Sequence, residues 1–389
     1  MNKAFWLQPM VLRLLALCLL LGTAGASVFP VLSTHLAINL GIEPLWIGVF
    51  FAANTLAGIG VSQWLAKRSD AGMSRMKILY VSVIVSMIGS VGLGVVTWYP
   101  LLLVVGMVWF GLSSTAQPQL FALAREQVND QQAALFQSVL RATISMSWIA
   151  GPPLAYLLFD WLGFRTLMMI TAAIFFLTLL MLPGMKDTRL SGSVSKVSVT
   201  DPRVLGLMLV TIAIFAANSM YIVYMPLYVR DVLGLMTIAP GLLMGLAAGL
   251  EIPIMIFGGA QAWRWHLFSP LKVAAISGMI FYTGVWWFDS FNMLLVMQLF
   301  NAGLVGLAAG IGISIFQSLM KDRLGMASTL YTNSIKIGSL AGAGLGGVVA
   351  QWGGYDGVFI GCGLLAATAT VLVFWISSKP GLSEESPAS

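Results

Sequence analysis

Long apolar runs recur along the whole chain and constrain its fold more than any other feature of the sequence. A run of about 20 apolar residues crosses the hydrocarbon core of a bilayer as a helix that satisfies its own backbone hydrogen bonds. Twelve such runs, separated by short polar connections, predict an all-α polytopic membrane protein with twelve transmembrane helices. They cover residues 10–35, 45–66, 78–97, 100–123, 135–158, 165–185, 204–229, 239–260, 271–288, 292–317, 325–350 and 356–378.

The composition of the 389 residues excludes a soluble enzyme. Only 9% of them are charged and 59% are hydrophobic, with a mean hydropathy of +0.92, whereas a soluble domain carries roughly 25% charged residues because its surface faces water. The sequence contains no phosphate-binding loop, HExxH motif or Ser/His/Asp constellation. Its two cysteines, Cys18 and Cys362, lie far apart in apolar runs and supply too few ligands for a metal site. We therefore expect no enzyme activity, no metal and no cofactor.

The placement of Lys and Arg predicts the orientation of the chain in the membrane. With both termini in the cytoplasm, all but four of the 20 Lys and Arg residues fall on the cytoplasmic side. Of these four, Arg165 and Arg230 fall outside, while Arg141 and Lys336 lie within spans. This bias follows the positive-inside rule. The net charge of +6 is therefore interpreted as a topology signal, and we expect no nucleic-acid partner.

A weak internal repeat divides the chain into two halves of six spans each. At an offset of 191 residues, Trp161 matches Trp352 and Gly163 matches Gly354. Two six-span halves in parallel repeat are the architecture of the major facilitator superfamily, whose substrate site lies near the bilayer midplane between the halves. The predicted organisation is an N-terminal half (1–185), a Ser-rich cytoplasmic linker (186–203), a C-terminal half (204–378) and a disordered tail (379–389).

Three ionisable residues lie deep within predicted spans: Arg141, Glu251 and Lys336. A charge at the centre of a transmembrane helix costs roughly 2.5–3.5 kcal/mol on insertion scales, so each residue needs a compensating partner or a wet cavity. Glu251, two residues before Pro253, is the only carboxylate far from an interface, and we interpret it as the group that binds and releases a proton. The alternative is a structural salt bridge from Glu251 to Arg141 or Lys336, and the two interpretations are compatible.

Polar side chains recur at helical spacing in several spans and predict a substrate site. Gln137 and Arg141 share a face of the fifth span, as Asn333 and Lys336 do in the eleventh. Amides beside aromatic rings suit a sugar, because its hydroxyls bond the amides while its apolar ring face stacks on Tyr or Trp. The competing interpretation is packing, since Ser, Thr and Asn often hydrogen-bond between transmembrane helices. The candidate substrate-binding residues are Asn54, Gln117, Gln137, Arg141, Asn218, Tyr221, Tyr224, Glu251, Gln298, Asn301, Asn333 and Lys336.

Four segments resemble the bacterial sugar efflux transporters of the major facilitator superfamily. They are GIGVSQWLAKRSD (58–70), PQLFALARE (118–126), GPPLAY (151–156) and AAGLEIPIMI (247–256). The resemblance extends from about residue 15 to about residue 375. It implies a twelve-helix transporter of the bacterial inner membrane that exports sugars or glycosides from the cytoplasm in exchange for protons.

The resemblance also implies roles for individual residues. Lys67, Arg68 and Asp70 are expected to form a gating loop after the second span, here with the two basic residues adjacent. Proton-coupled exporters often carry an Arg in the fourth span, where Met107 stands in this chain, so Arg141 is the second candidate for proton coupling. The expected partners are a sugar, protons and the lipid bilayer, and the chain is expected to act as a monomer.

Three functions are compatible with such a fold. The favoured one is sugar export by alternating access, in which protonation of Glu251 shifts the balance between two states because its surroundings differ between them. The second is a multidrug/proton antiporter of the same fold, for which Glu251 could also be the acidic residue. A panel of glycosides and lipophilic cations separates these two. A non-transporting membrane sensor is disfavoured, because tails of about ten residues offer no output domain.

Overall fold

The computed structural model describes residues 6–70, 72–126, 130–185, 202–261, 266–320 and 324–378. Within these ranges the chain forms twelve helices and no β-strand. The first six are α1 (Pro9–Ile38), α2 (Pro44–Asp70), α3 (Arg75–Val95), α4 (Tyr99–Glu126), α5 (130–162) and α6 (164–180), the last two forming Asp130–Leu180. The others are α7 (Pro202–Leu227, continued by a π-helical turn at Tyr228–Val232), α8 (Ala239–Gln261), α9 (Ser269–Trp287), α10 (Phe291–Leu319), α11 (324–353) and α12 (355–377), the last two forming Leu324–Ser377.

Gly163 and Gly354 divide the two longest helical segments into membrane-length helices. The φ and ψ angles are 76° and 167° at Gly163, and 70° and 177° at Gly354. This backbone region is nearly restricted to glycine, because a side chain would clash with the backbone. The two breaks lie 191 residues apart, which is the offset of the sequence repeat.

The helices match the predicted spans in number and position. Nine helical stretches of the described chain are long and apolar enough to cross a bilayer. Two of them, 39 and 49 residues long, contain the breaks at Gly163 and Gly354, so the nine stretches account for eleven helices. The twelfth is α9, with 19 residues. Trp98 and Trp287 lie at helix ends and are 68% and 70% exposed, as in the aromatic belts of membrane interfaces.

The second helix is four residues longer than its apolar run predicts. The expectation of a gating loop at Lys67, Arg68 and Asp70 is therefore wrong in its secondary structure, because these residues form the last turn of α2. The helix stops only at Gly72, which has a φ of 103°. The Gly72 N–H donates to Ser69 O (3.0 Å) and the next N–H donates to Arg68 O (2.9 Å), the Schellman arrangement that ends helices at glycine. A gating role for this turn stays a prediction.

The chain divides into two compact units that exchange short segments. The start of α2 (42–52) packs within the C-terminal unit, and the start of α8 (240–245) packs within the N-terminal unit. The predicted tail (379–389) and all but the last two residues of the predicted linker (186–203) lie outside the described residues. The N-terminal unit comprises Met1–Gly41, Ala53–Ser193 and Pro240–Gly245, and the C-terminal unit comprises Ile42–Ala52, Val194–Ala239 and Leu246–Ser389.

In the N-terminal unit, small residues bring α1 and α5 close together. A Cβ on Gly22 would lie 2.6 Å from Ser147 Oγ, and a Cβ on Gly151 would lie 2.9 Å from the Cβ of Ala26. Both pairs are 125 residues apart, so the two helices run parallel in a constant register. Ser147 also donates a hydrogen bond to Leu19 O across this interface (3.2 Å). Such close approach is how helices associate in lipid, where no hydrophobic force drives them together.

The equivalent interface of the C-terminal unit joins α7 and α11. A Cβ on Gly338 would lie 2.5 Å from Ile212 O, and a Cβ on Gly342 would meet the backbone of Ala216. These pairs are both 126 residues apart, so α7 and α11 also run parallel in a constant register. Gly342 is the repeat counterpart of Gly151, and both halves therefore use glycine at the same position to bring two helices together.

Replacing Gly342 with Ala is expected to destabilise the protein, because the new Cβ would overlap the backbone of Ala216. Overpacking of this kind costs about 1–3 kcal/mol, so the thermal unfolding midpoint of the purified protein in detergent should fall by a few degrees. Gly363→Ala on α12 is the matched control, since a Cβ there meets nothing within 4 Å. Equal midpoints for the two variants would contradict the close packing of α7 on α11.

Candidate functional site

The candidate substrate residues of the C-terminal unit fall into two groups by accessibility. A side chain that contacts a transported molecule cannot be fully enclosed by protein, so burial decides which candidates are unable to bind directly. The partly exposed residues are Asn218 on α7, Glu251 on α8, and Asn333 and Lys336 on α11. The buried residues, all at most 3% exposed, are Tyr221 and Tyr224 on α7 and Gln298 and Asn301 on α10.

Three members of the buried group form a hydrogen-bond network. Tyr221 Oη donates to Gln298 Oε1 (3.3 Å), and Asn301 Nδ2 donates to the same oxygen (3.0 Å). Gln298 Nε2 in turn donates to Leu294 O one turn earlier on α10 (3.1 Å). The network joins α7 to α10 by a hydrogen bond between side chains. Such bonds between transmembrane helices are what the packing interpretation of these residues predicts.

Two buried oxygens around this network have no hydrogen-bond partner among the described residues, Asn301 Oδ1 and Tyr282 Oη. Tyr282 on α9 is 0% exposed, and its ring centroid lies 6.3 Å from that of Tyr221. A buried polar atom without a partner costs about 1–3 kcal/mol, and ordered water is the usual partner of such groups. Sequence reasoning missed Tyr282, because a single aromatic residue in an apolar run carries no spacing signal.

Tyr224, the fourth buried candidate, interacts with backbone groups. Its hydroxyl lies 3.3 Å from Pro44 O and 3.5 Å from Ala343 O, both within the C-terminal unit. The side chain is 0% exposed. The hydroxyl is therefore held between the start of α2 and the middle of α11.

Glu251 lies where α8 packs closely on α10. A Cβ on Gly306 would lie 3.3 Å from Glu251 O, so the two backbones nearly touch. The helix continues through Pro253, which has no N–H to donate to Gly249 O one turn earlier. No described side chain forms a salt bridge with Glu251. The side chain of Arg141 lies outside the described residues, so the predicted pairing with Arg141 stays a prediction.

The register of α7 and α11 sets the depth of the partly exposed residues. Contacting positions on the two helices are 120 to 126 residues apart, so Asn218 lies level with residues from about 338 to about 344 on α11. Asn218 is therefore displaced from Lys336 by about two to eight residues along the axis, which is roughly 3–12 Å at 1.5 Å per residue. Ser219 Oγ donates to Ser339 O (2.9 Å) and also joins the two helices. The α7–α11 pair therefore presents polar groups at two depths.

In the N-terminal unit, the described candidates differ in the same way. Asn54 on α2 is 0% exposed, and neither polar atom of its amide has a hydrogen-bond partner among the described residues. Gln117 on α4 is partly exposed. Arg68 is exposed and lies 5.4 Å over the ring of Trp64. The remaining candidates have side chains outside the described set, namely Lys67, Asp70, Gln137 and Arg141.

Sequence reasoning also missed a cluster near the C-terminal end of α1. Tyr156 Oη on α5 donates to Pro30 O (3.0 Å) and lies 3.2 Å from Thr34 Oγ1. His35 stacks on Phe164 with ring centroids 3.7 Å apart, and its Nδ1 has no partner among the described residues. These contacts join residues more than 120 positions apart, so no local sequence pattern predicts them.

Comparison with known proteins assigns the family. The sequence model of the family named Major Facilitator Superfamily matches residues 15–323 of this chain. Sugar efflux transporter A of Escherichia coli (strain K12) is 37% identical over 391 residues, covering 96% of this chain and 98% of that protein. The chain belongs to the sugar efflux transporters of this superfamily. Sugar efflux transporter B of Salmonella typhimurium (strain LT2) is likewise 37% identical, covering 89% of this chain and 90% of that protein.

A solved structure shares the fold. The crystal structure of the nucleoside transporter NupG superposes with a TM-score of 0.80 at 10% sequence identity, covering 95% of this chain and 99% of that one. At this level of sequence identity, the similarity shows a shared fold and nothing about substrate. The predicted twelve-helix architecture and the resemblance to the sugar efflux transporters are thus confirmed, and the chain is a multi-pass membrane protein.

Replacing Gln298 with Leu is expected to destabilise this sugar efflux transporter, because Asn301 and Tyr221 would both lose their acceptor. Unpaired buried groups cost about 1–3 kcal/mol, so the thermal unfolding midpoint should fall. Asn333→Leu is the matched control, because a partly exposed amide can be removed with a change of about 0.5 kcal/mol or less. A similar loss in both variants would contradict the division into buried and accessible polar groups.

Proposed function

We propose that this member of the family exports sugars or glycosides from the cytoplasm by alternating access, in exchange for protons. The observation that carries the proposal is the 37% identity, over 96% of the chain, to a protein named sugar efflux transporter A. The chemistry of the accessible candidates supports it, because amide, carboxylate and ammonium groups all hydrogen-bond to hydroxyls.

The partly exposed polar residues are the proposed sugar contacts. On the C-terminal unit these are Asn218, Asn333 and Lys336, which offer donors at two depths of the α7–α11 pair. On the N-terminal unit, Gln117 offers an amide and Trp148 a partly exposed indole on which the apolar face of a sugar ring can stack. The buried candidates would support the walls of the site through packing and hydrogen bonds.

Glu251 is the proposed carrier of the coupled proton, and Arg141 is the second candidate for proton coupling. A carboxylate held in a salt bridge stays charged, whereas no described side chain pairs with Glu251, and its side chain is partly exposed. The carboxyl group is therefore not enclosed by packed protein. Proton binding shifts the balance between two states only if the proton binds them with different affinity, so Glu251 must change its surroundings during the cycle.

The proposed location is the bacterial inner membrane, with both termini in the cytoplasm and the chain acting as a monomer. The bias of Lys and Arg toward one side of the spans supports this orientation. A cytoplasmic N-terminus and an even number of spans place the C-terminus on the same side. Sugar would then enter the site from the cytoplasm and leave it on the other side of the membrane.

Glu251→Gln tests the proton-coupling role, because it removes the titratable group and keeps the size of the side chain. Export of radiolabelled sugar driven by an imposed pH gradient should fall by about tenfold or more, while equilibrium sugar binding stays nearly unchanged, since a carboxyl deep in a span is a functional group by default. Glu43→Gln is the matched control, an exposed carboxylate in the turn between α1 and α2. Unchanged proton-driven export by Glu251→Gln would remove this residue from coupling.

A substrate panel in inverted membrane vesicles tests the substrate class. With the vesicle interior made acidic, vesicles containing the protein should accumulate radiolabelled lactose or a thiogalactoside, because the interior corresponds to the outside of the cell. They should not accumulate a lipophilic cation. Accumulation of the cation without any glycoside would instead support a multidrug antiporter of the same fold. Vesicles from cells that lack the protein give the background.

A further inference from the structure

The hydroxyl of one tyrosine contacts the start of α2 within the C-terminal unit. Tyr224 Oη on α7 can donate its proton to Pro44 O on α2 (3.3 Å) or to Ala343 O on α11 (3.5 Å). Tyr224 itself is 0% exposed, so water does not compete for the hydroxyl. Three helices therefore meet at this single group.

Two glycines allow the hydroxyl to occupy this position. A Cβ on Gly347 would lie 2.8 Å from the Cα of Gly48, so α2 and α11 touch backbone to backbone. A Cβ on either glycine would also lie 2.9 Å from Tyr224 Oη. A side chain at either position would separate the two helices or displace the hydroxyl.

A second polar contact joins the same segment to α11. Gln351 Oε1 accepts a hydrogen bond from the N–H of Leu45 (3.3 Å). The first N–H groups of a helix have no partner within the helix, so this bond satisfies a donor that α2 would otherwise leave unpaired. Residues 42–52 are thus held by polar bonds as well as by close packing.

The exchanged segment of the N-terminal unit is held differently. Residues 240–245 (PGLLMG) contain no polar side chain. A Cβ on Gly241 would lie 2.8 Å from Pro152 O, and a Cβ on Gly245 would lie 2.6 Å from Ile149 O, so backbone packing holds this segment on α5. Of the two exchanged segments, the one from α2 is therefore the one that side-chain hydrogen bonds help to hold, from Tyr224 and from Gln351.

We propose that Tyr224 is a latch that sets how readily residues 42–52 separate from α7 and α11. The rest of α2, from Ala53 onward, belongs to the N-terminal unit, and separating residues 42–52 from the C-terminal unit breaks the contact of Tyr224 with Pro44. The use of this latch in transport rests on the proposed alternating access. The latch itself is a property of the C-terminal unit and can be tested without a sugar or a proton gradient.

Tyr224→Phe removes the hydroxyl and keeps the ring, so it tests the latch directly. Spin labels on Glu43→Cys and Asp356→Cys, both exposed positions, report the distance between the start of α2 and the start of α12 within the C-terminal unit. Pulsed electron–electron double resonance on the full-length protein in lipid nanodiscs then gives the distance populations. The ratio of longer to shorter distances should rise about fivefold, the factor expected for one lost hydrogen bond.

Tyr228→Phe is the matched control for the lost hydroxyl. Its hydroxyl also donates to a backbone oxygen, but to Val285 O on α9 (3.3 Å) rather than to the start of α2. Its distance distribution should equal that of the protein with Tyr at both positions. Cys18 and Cys362 are buried, and labelled protein without the two introduced cysteines measures their background.

A second variant approaches the same contact from the other side. Gly347→Ala places a methyl group against Gly48 and should also raise the longer-distance population, whereas Gly363→Ala, with open space around its Cβ, should not. If Gly347→Ala shifts the distances and Tyr224→Phe does not, the hydroxyl is no latch. If neither variant shifts them, residues 42–52 do not separate at all. Either result overturns the proposal, and neither depends on which substrate is exported.

Discussion

Close backbone contact between helices is the constraint on which the rest of this structure depends. Within hydrocarbon no hydrophobic force draws helices together, so packing and interhelical hydrogen bonds must do so. Glycine makes this possible where Gly342 lets α11 reach Ala216 on α7, and where Gly151 lets α5 reach Ala26 on α1. Each contact fixes one helix against another in a constant register. The depth of every polar residue on α7 relative to α11 then follows from the positions of the glycines.

Features of the fold that depend on local sequence could be predicted, and features that depend on distant partners could not. A span needs a minimum apolar length, and the breaks at Gly163 and Gly354 need a residue that tolerates positive φ, so both are visible in the chain. The exchanged segments 42–52 and 240–245 are not, because the apolar pattern continues unchanged where each helix passes from one unit to the other. Hydropathy predicts a loop at the charged end of α2, but the helix continues past the end of its apolar run and ends at the stop signal of Gly72.

The candidate site shows the same limit at the level of side chains. Asn218 and Tyr221 are three residues apart on α7, yet the first is partly exposed and the second is buried against Gln298. Spacing places both on one face, but what covers that face is decided by residues elsewhere in the chain. Tyr224 makes this plain, because its acceptors Pro44 and Ala343 lie 180 and 119 residues away in sequence. The sequence identifies polar residues within spans, but it does not show which of them are buried between helices and which are exposed enough to contact a substrate.

The two halves share the repeat in their backbone but differ in their ionisable side chains. The two units can therefore have different roles in transport. At the repeat offset Glu251 corresponds to Gly60 and Lys336 to Ser145, so the C-terminal unit carries a carboxylate and an ammonium group that the other half lacks at those positions. The same unit holds the start of α2 through Tyr224. In the proposed mechanism, proton binding by Glu251 on α8 and release of residues 42–52 from α7 and α11 would thus both be events of one unit. Asn218, Asn333 and Lys336 lie on α7 and α11 themselves, so a small change at these three residues would need to travel only along the two helices to reach Tyr224.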